Sequence, residues 1–208
     1  MYLRGNNVVF KLMVLSQLDD FIKYLNEVEH NLWAKADDYI KKAEALHEDE
    51  QENYWDWHVD EYHDYSELYP SFLRNSIFIS IYSYLEYHLL NQCDNKEKLR
   101  SIKGSGIEKG KKYFKQVYGI HTPFESIEWN NINDYNKIRN CLVHNGGDID
   151  NISNANKQKE LNVIINKIPT IELSNRGQIL IQKEFCIEFC EVVKCFLTLT
   201  VESRKSIE

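Results

Sequence analysis

From Leu18 the apolar side chains recur at Ile22, Leu25, Val28, Leu32, Ala36, Ile40, Ala43 and Leu46. That step of three to four residues is one face of an α-helix and predicts a helix over 16 to 48. The next stretch is acidic and aromatic together and predicts a second helix, ending at Pro70 because proline disfavours helical backbone in the residue before it. Residues 71 to 93 are apolar almost all round the helix axis, with Ser71 as the cap. A helix of that kind has no wet face and belongs at the centre of a core.

Beyond residue 93 glycines punctuate the chain. Gly104 and Gly106 predict a loop, and a short helix then closes at Gly119. Ile132, Tyr135, Ile138 and Leu142 mark one face of a further helix that Gly146 and Gly147 stop, which puts His144 in its last turn. A helix near 155 to 167 leads to two short alternating runs around Asn175, Arg176 and Gly177, the pattern of a β-hairpin. The last helix is expected over about 183 to 203, and no internal repeat or low-complexity tract interrupts the series. The expected class is all-α, a helical bundle with a small β-hairpin before the C-terminal helix.

Composition supports this class. The 208 residues suit one domain, and 43% apolar residues with thirteen Tyr and nine Phe exclude disorder from low hydrophobicity. Eight Gly and three Pro are too few for a many-turned β-sandwich. Five cysteines, an odd number without a CxxC pair, read as reduced core thiols. The early run VVFKLMVL is broken by Lys11, is too short to span a bilayer and has no small-residue cleavage site after it. No membrane association and a cytoplasmic location are the expectations.

Net charge, −7, conceals an asymmetry: residues 37 to 67 hold twelve Asp or Glu against two Lys, while 96 to 115 hold eight Lys or Arg against two Glu. The acidic total argues against a general nucleic-acid coat. The local basic stretch still attracts phosphate within a Debye length of about 8 Å.

The segment KIRNCLVHNGG, residues 137 to 147, concentrates the candidate chemistry. Asn140 and His144 lie one helical turn apart, and Arg139 sits about 140° round the helix from His144, so its long stem must reach across. A guanidinium matches two phosphate oxygens, and an imidazole exchanges protons near neutral pH. A helix C-terminus favours the protonated ring. Together these groups suit phosphodiester chemistry. They also have a plain structural use, in which Arg139 pairs with Asp134 or Glu86 and His144 caps free carbonyls.

WNNINDYNKIRNCLVHNGG, with LRNSIFISIYSYLEYHLL before it, resembles the HEPN family, in which an Arg, usually followed by a polar residue, precedes a His by a few positions on a helix. The likeness covers about residues 16 to 204 of a single domain taken as 1 to 208. It implies a metal-independent endoribonuclease without cofactor, of the kind found in toxin–antitoxin and phage-defence or stress systems, acting as a homodimer on RNA and in some cases held by a protein antitoxin. By the same resemblance Arg139 binds the scissile phosphate, His144 transfers the proton as the RNA 2′-hydroxyl attacks, and Asn140 holds either group. Glu86, on the second core helix, orients Arg139. Lys109, Lys111, Lys112 and Lys137 are the expected RNA-binding cations. One branch of the family carries a Tyr two residues after the His, where this chain has Gly146. The alternative within the family is a non-enzymatic nucleotide- or protein-binding module.

Other patterns are weaker. Glu27 with His30 and Glu44 with His47 repeat an ExxH spacing, but on one long helix they stand about 25 Å apart, too far for one metal. His58, Asp60, Glu61, His63 and Asp64 read as the wet face of an aromatic helix before they read as a metal site. Lys103-Gly104-Ser105-Gly106 lacks the full spacing of a phosphate-binding loop.

Overall fold

The computed structural model describes residues 7 to 205, so the first six and last three residues of the expected domain lie outside the described residues. Helix α1 (Asn7–Phe10) passes through a π turn (Lys11–Leu15) into α2 (Ser16–Glu44). After a turn, α3 (Glu48–His63) runs through a second π segment (Asp64–Leu68) directly into α4 (Tyr69–Asn91). Tyr39 stacks near Tyr65, Glu29 meets Arg74 and Gln17 meets Tyr84. One set of numbers falls as the other rises, so the two long rods are antiparallel.

Two expected boundaries are corrected by the structure. The first helix stops at Glu44 and not at 48, because Leu46 and His47 turn the chain, with His47 extended at φ −65° and ψ 149°. The second helix does not end at Pro70. In the π segment the Tyr69 N–H reaches back five residues to the Asp64 carbonyl. That wider turn places Pro70 at the start of a new α-helical register, where its missing N–H and fixed φ cost little.

The remaining elements are short until the motif helix. They are α5 (Lys96–Ser101), α6 (Gly106–Tyr113) with a π turn (Phe114–Tyr118) closed by left-handed Gly119, a 3₁₀ turn (Thr122–Glu125), and then α7 (Ile127–Asn145). Another 3₁₀ turn (Ile149–Asn151) leads to α8 (Ala155–Ile165), the antiparallel pair β1 (Ile171–Leu173) and β2 (Ile179–Ile181), and α9 (Lys183–Lys205). Ile171 stands opposite Ile181 and Leu173 opposite Ile179 in the hairpin. The fold is therefore all-α with one small hairpin, as the pattern predicts.

Helix α4 is central and packs against α2, α6, α7 and α9. Its buried positions, from Ile77 and Phe78 to Leu85 and Leu89, explain why it carries apolar residues on nearly every side. Aromatic edges lock three helices together: Phe78 of α4 and Tyr135 of α7 both meet Phe185 and Phe189 of α9, with ring centroids 4.9 to 5.1 Å apart. Edge-to-face contacts at this distance add to the stabilisation from burial itself. Cys93, Cys141, Cys186 and Cys190 are free and buried, as expected, whereas Cys195 is exposed and is not a core thiol. Among the described residues no helix is long and apolar enough to cross a membrane.

His88 gives the core a pH dependence. It is 5% exposed on α4, and burial lowers its pKa to about 4. The unfolded chain gains a proton near pH 6.5 and the folded chain only near 4, so stability is unaffected above 6.5 and falls as pH drops between those values. The loss expected from this residue is about 2 kcal/mol by pH 5. Urea midpoints at pH 7 and 5 test this: His88→Leu should flatten the dependence, and an unchanged slope in that variant would assign it to other groups.

Candidate functional site in the cleft of α7 and α8

The buried stripe on α7 runs Trp129, Ile132, Tyr135, Ile138, Cys141, a strict step of three. Each step falls about 60° short of a full turn, so the buried face winds round the helix as it proceeds. At the C-terminal end this winding leaves Lys137, Asn140 and His144 together on an open side. Ser126 caps the start by accepting the Trp129 N–H at 3.2 Å. The end is fixed more firmly. Gly146 is left-handed at φ 64°, and Gly147, at φ 80°, donates its N–H to the Cys141 carbonyl. A Cβ on Gly147 would come within 3.2 Å of Leu142. The hairpin then clamps this terminus, with the Ile179 N–H donating to the Gly147 carbonyl at 2.9 Å and the Ile149 N–H to the Gly177 carbonyl at 3.0 Å.

Across from that open side lies the N-terminal half of α8, capped by Asn154, whose side-chain oxygen accepts the Asn156 and Lys157 N–H groups. Between them is a cleft of about 530 Å³ whose walls include Lys137, Asn140 and His144 from α7 and Asn154, Lys157 and Glu160 from the facing segment. Its volume is in the range of small-ligand pockets. Its lining combines amide, imidazole and charge with the apolar side chains of Ile152 and Leu161.

Arg139 does not line this cleft. Its guanidinium lies over the Tyr82 ring at 5.6 Å, and its Nη1 donates to the Asn140 side-chain oxygen at 3.1 Å. Asn140 thus touches the cation with one atom while its residue forms part of the cleft wall that includes His144. The Arg139 Nε is buried and has no hydrogen-bond partner. Burial, reinforced by the Glu86 carboxylate and opposed by Arg139, pushes the Tyr82 phenol well above its usual range, so the ring beneath the guanidinium stays neutral.

Glu86 is placed differently from the expected orienting role. The arginines in ion pairs among the described residues are Arg74, with Glu29, and Arg204, with Asp94. The Glu86 carboxylate instead packs against Gly106, where an added Cβ would stand 3.1 Å from it. Asp134, the other expected partner of Arg139, pairs with Lys137.

The four expected RNA-binding lysines do not converge. Lys137 alone lines the cleft, held by Asp134 at 3.2 Å and Glu160 at 3.0 Å. Burial works to lower its pKa, but hydrogen bonds to these two carboxylates prevail and raise it. Lys111 pairs with Glu108 and lies over Trp129 at 5.0 Å, at the far end of α7, where fifteen residues correspond to about 22 Å from His144. Lys112 donates to the Lys103 carbonyl, and Lys109 is half-buried on the same short helix.

Pattern does not single out Glu160, Lys157 or Asn154, since nothing in a short helix near 155 to 167 says which neighbour it faces. The brief connection between Gly147 and Asn154 is the one hint that α8 must fold back beside α7. The two ExxH pairs are also corrected: His47 lies in the turn beyond α2, so they do not share a helix. Among the described residues no three His, Cys, Asp or Glu side chains are grouped as metal ligands. Comparison of the chain with family models, curated proteins and solved structures returns no match.

Proposed function

We propose that the protein is an endoribonuclease of HEPN type that cleaves RNA without a metal. The observation that carries this reading is the contact of Arg139 Nη1 with Asn140, which couples a phosphate-binding cation to a cleft wall that also contains an exposed imidazole. In this mechanism the substrate backbone lies along the end of α7. The guanidinium, already bonded to Asn140, takes the nonbridging oxygens of the scissile phosphate by moving off the Tyr82 face into the cleft, where its unpartnered Nε gains an acceptor. His144 transfers the proton as the 2′-hydroxyl attacks phosphorus and the 5′-oxygen leaves, so the product is a cyclic phosphate.

One imidazole does not easily act as base and acid on opposite sides of one phosphate. Two copies of the chain, with their α7 ends turned toward each other about a twofold axis, supply a second. The exposed position of His144 leaves room for that partner.

A non-enzymatic binding module is the second reading, and the placement of Arg139 over Tyr82, outside the cleft, favours it. Cleavage assays separate the two. Purified protein incubated with mixed RNA in EDTA should release fragments ending in cyclic phosphate and should leave DNA intact, because the nucleophile belongs to ribose. Activity lost in EDTA, restored by a divalent ion and extending to DNA would replace this mechanism with a metal-dependent one.

A further inference from the structure

A second cavity, of about 440 Å³, opens between α2, the start of α4 and the start of α9, on residues that the proposed cleavage chemistry does not use. At its base is Glu29, a carboxylate 3% exposed, which accepts from the Arg74 Nε at 2.6 Å and lies 3.6 Å from the Lys183 ammonium. A buried carboxylate on a long helix is costly unless paired, and this one is paired twice. Arg74 also reaches the Ile181 carbonyl through Nη1 at 3.4 Å, which ties it to the hairpin.

Two cations against one buried carboxylate leave one positive charge at the base of the cavity, and the exposed Glu184 at its mouth balances that charge over the lining as a whole. Neither head group is used up. Lys183 stands too far from Glu29 for a strong hydrogen bond, and the Arg74 fork keeps Nη2 for another acceptor. Glu184 and His30 lie on the exposed rim. One wall is Trp33, whose indole is 49% exposed beside these charges although a tryptophan normally buries most of its area.

We infer that this cavity is a docking subsite for single-stranded RNA, in which one internucleotide phosphate sits on Arg74 and Lys183 and the adjoining base stacks on Trp33. The donors at the base, Arg74 Nη2 and the Lys183 ammonium, set the class of ligand. A phosphodiester brings one negative charge to these donors, whereas the second negative charge of a phosphate monoester adds repulsion from Glu29 and Glu184 in the same lining. A flat half-exposed ring next to a phosphate site is how sequence-tolerant binding of unpaired strands is built. The subsite rests on the RNA reading for its substrate class and is independent of Arg139 and His144 for its chemistry.

The test uses an uncleavable single-stranded 2′-O-methyl oligonucleotide of about ten nucleotides, its binding followed by fluorescence anisotropy in the full-length protein, so that cleavage plays no part. Trp33→Ala should weaken binding about tenfold, the loss expected for one stacked base. Lys183→Gln should weaken it and lower the slope of log affinity against log salt by about 0.7, the value for one phosphate contact on a single strand. Both side chains are partly exposed, so helical content should hold in each variant. A wild type that does not bind the oligonucleotide, or two folded variants that bind it as the wild type does, would overturn the subsite. Cleavage of RNA by a protein whose Trp33 and Lys183 variants bind normally would keep the nuclease and reject the subsite. Binding through Trp33 and Lys183 without any cleavage would do the reverse.

Discussion

Replacing His144 by alanine is expected to reduce RNA cleavage by about a hundredfold or more, the order of magnitude for loss of a positioned acid or base, with the melting temperature almost unchanged. The side chain is exposed in the last turn of α7, where the helix end is held by glycines and by the hairpin and not by the imidazole. Arg139→Ala should cost at least as much activity. Its stability effect should be small, because the lost cation–π contact with Tyr82 is offset by removal of a buried donor that has no partner. Arg139→Lys should not restore the activity, since an ammonium keeps the charge but loses the planar fork. Mixing the two inactive variants adds a test of the shared site: exchange between dimers should return part of the activity if each copy contributes to one cleft. Full activity in either alanine variant rejects the catalytic assignment, and absence of rescue in a proven mixed dimer rejects the shared cleft.

Sequence patterning locates the long helices because each buries a face with a regular step, and burial of a continuous face is what periodicity measures. It misjudges Pro70. A proline rule assumes an α-helical hydrogen-bond register, and the π segment from Asp64 to Leu68 changes the register just ahead of the ring. It finds the α7 stripe only in part, giving Leu142 where the structure buries Cys141, because a stripe with a step of three drifts round the axis and a fixed face does not follow it. The same drift explains the site. Asn140 and His144 share a wall because they are four apart, which sequence shows directly, while the position of Arg139 depends on what covers the opposite side. That cover is Tyr82 on α4, a residue 57 positions earlier in the chain, and no local rule selects it.

Charge is the least legible feature. A basic stretch reads as a phosphate-binding edge, yet a lysine serves that purpose only if its ammonium is unspent and points to the right place. Lys111 and Lys112 are engaged by Glu108, Trp129 and the Lys103 carbonyl, and Lys137 is held by two acids within the cleft it lines. Under the proposed function, RNA entering that cleft would have to compete with Asp134 and Glu160 for Lys137. On that proposal the cleft would owe less of its affinity to net charge than its lysine content suggests, and more to the amides of Asn140 and Asn154.

The largest stability effect is expected at Phe189. Its ring is fully buried and meets Phe78 of α4 and Tyr135 of α7 edge-on at 4.9 and 5.1 Å, with Phe185 beside it on α9. Phe189→Ala removes the transfer energy of the ring and leaves a void whose walls belong to three helices, none of which can move inward without breaking its other contacts, so the loss should be about 3–5 kcal/mol. Phe189→Leu retains much of the volume and should lose less. Trp57→Ala, at a position 75% exposed, should change stability by no more than about 0.5 kcal/mol, although it deletes a larger side chain. Urea unfolding of the three variants at one pH gives the comparison. Tyr135 and His144 share α7, so any cleavage by Phe189→Ala should fall in proportion to its unfolded fraction and recover at lower temperature or with a stabilising osmolyte. A variant that remains folded under those conditions, yet no longer cleaves, would mean that this aromatic cluster sets the geometry of the α7 terminus and not only its stability.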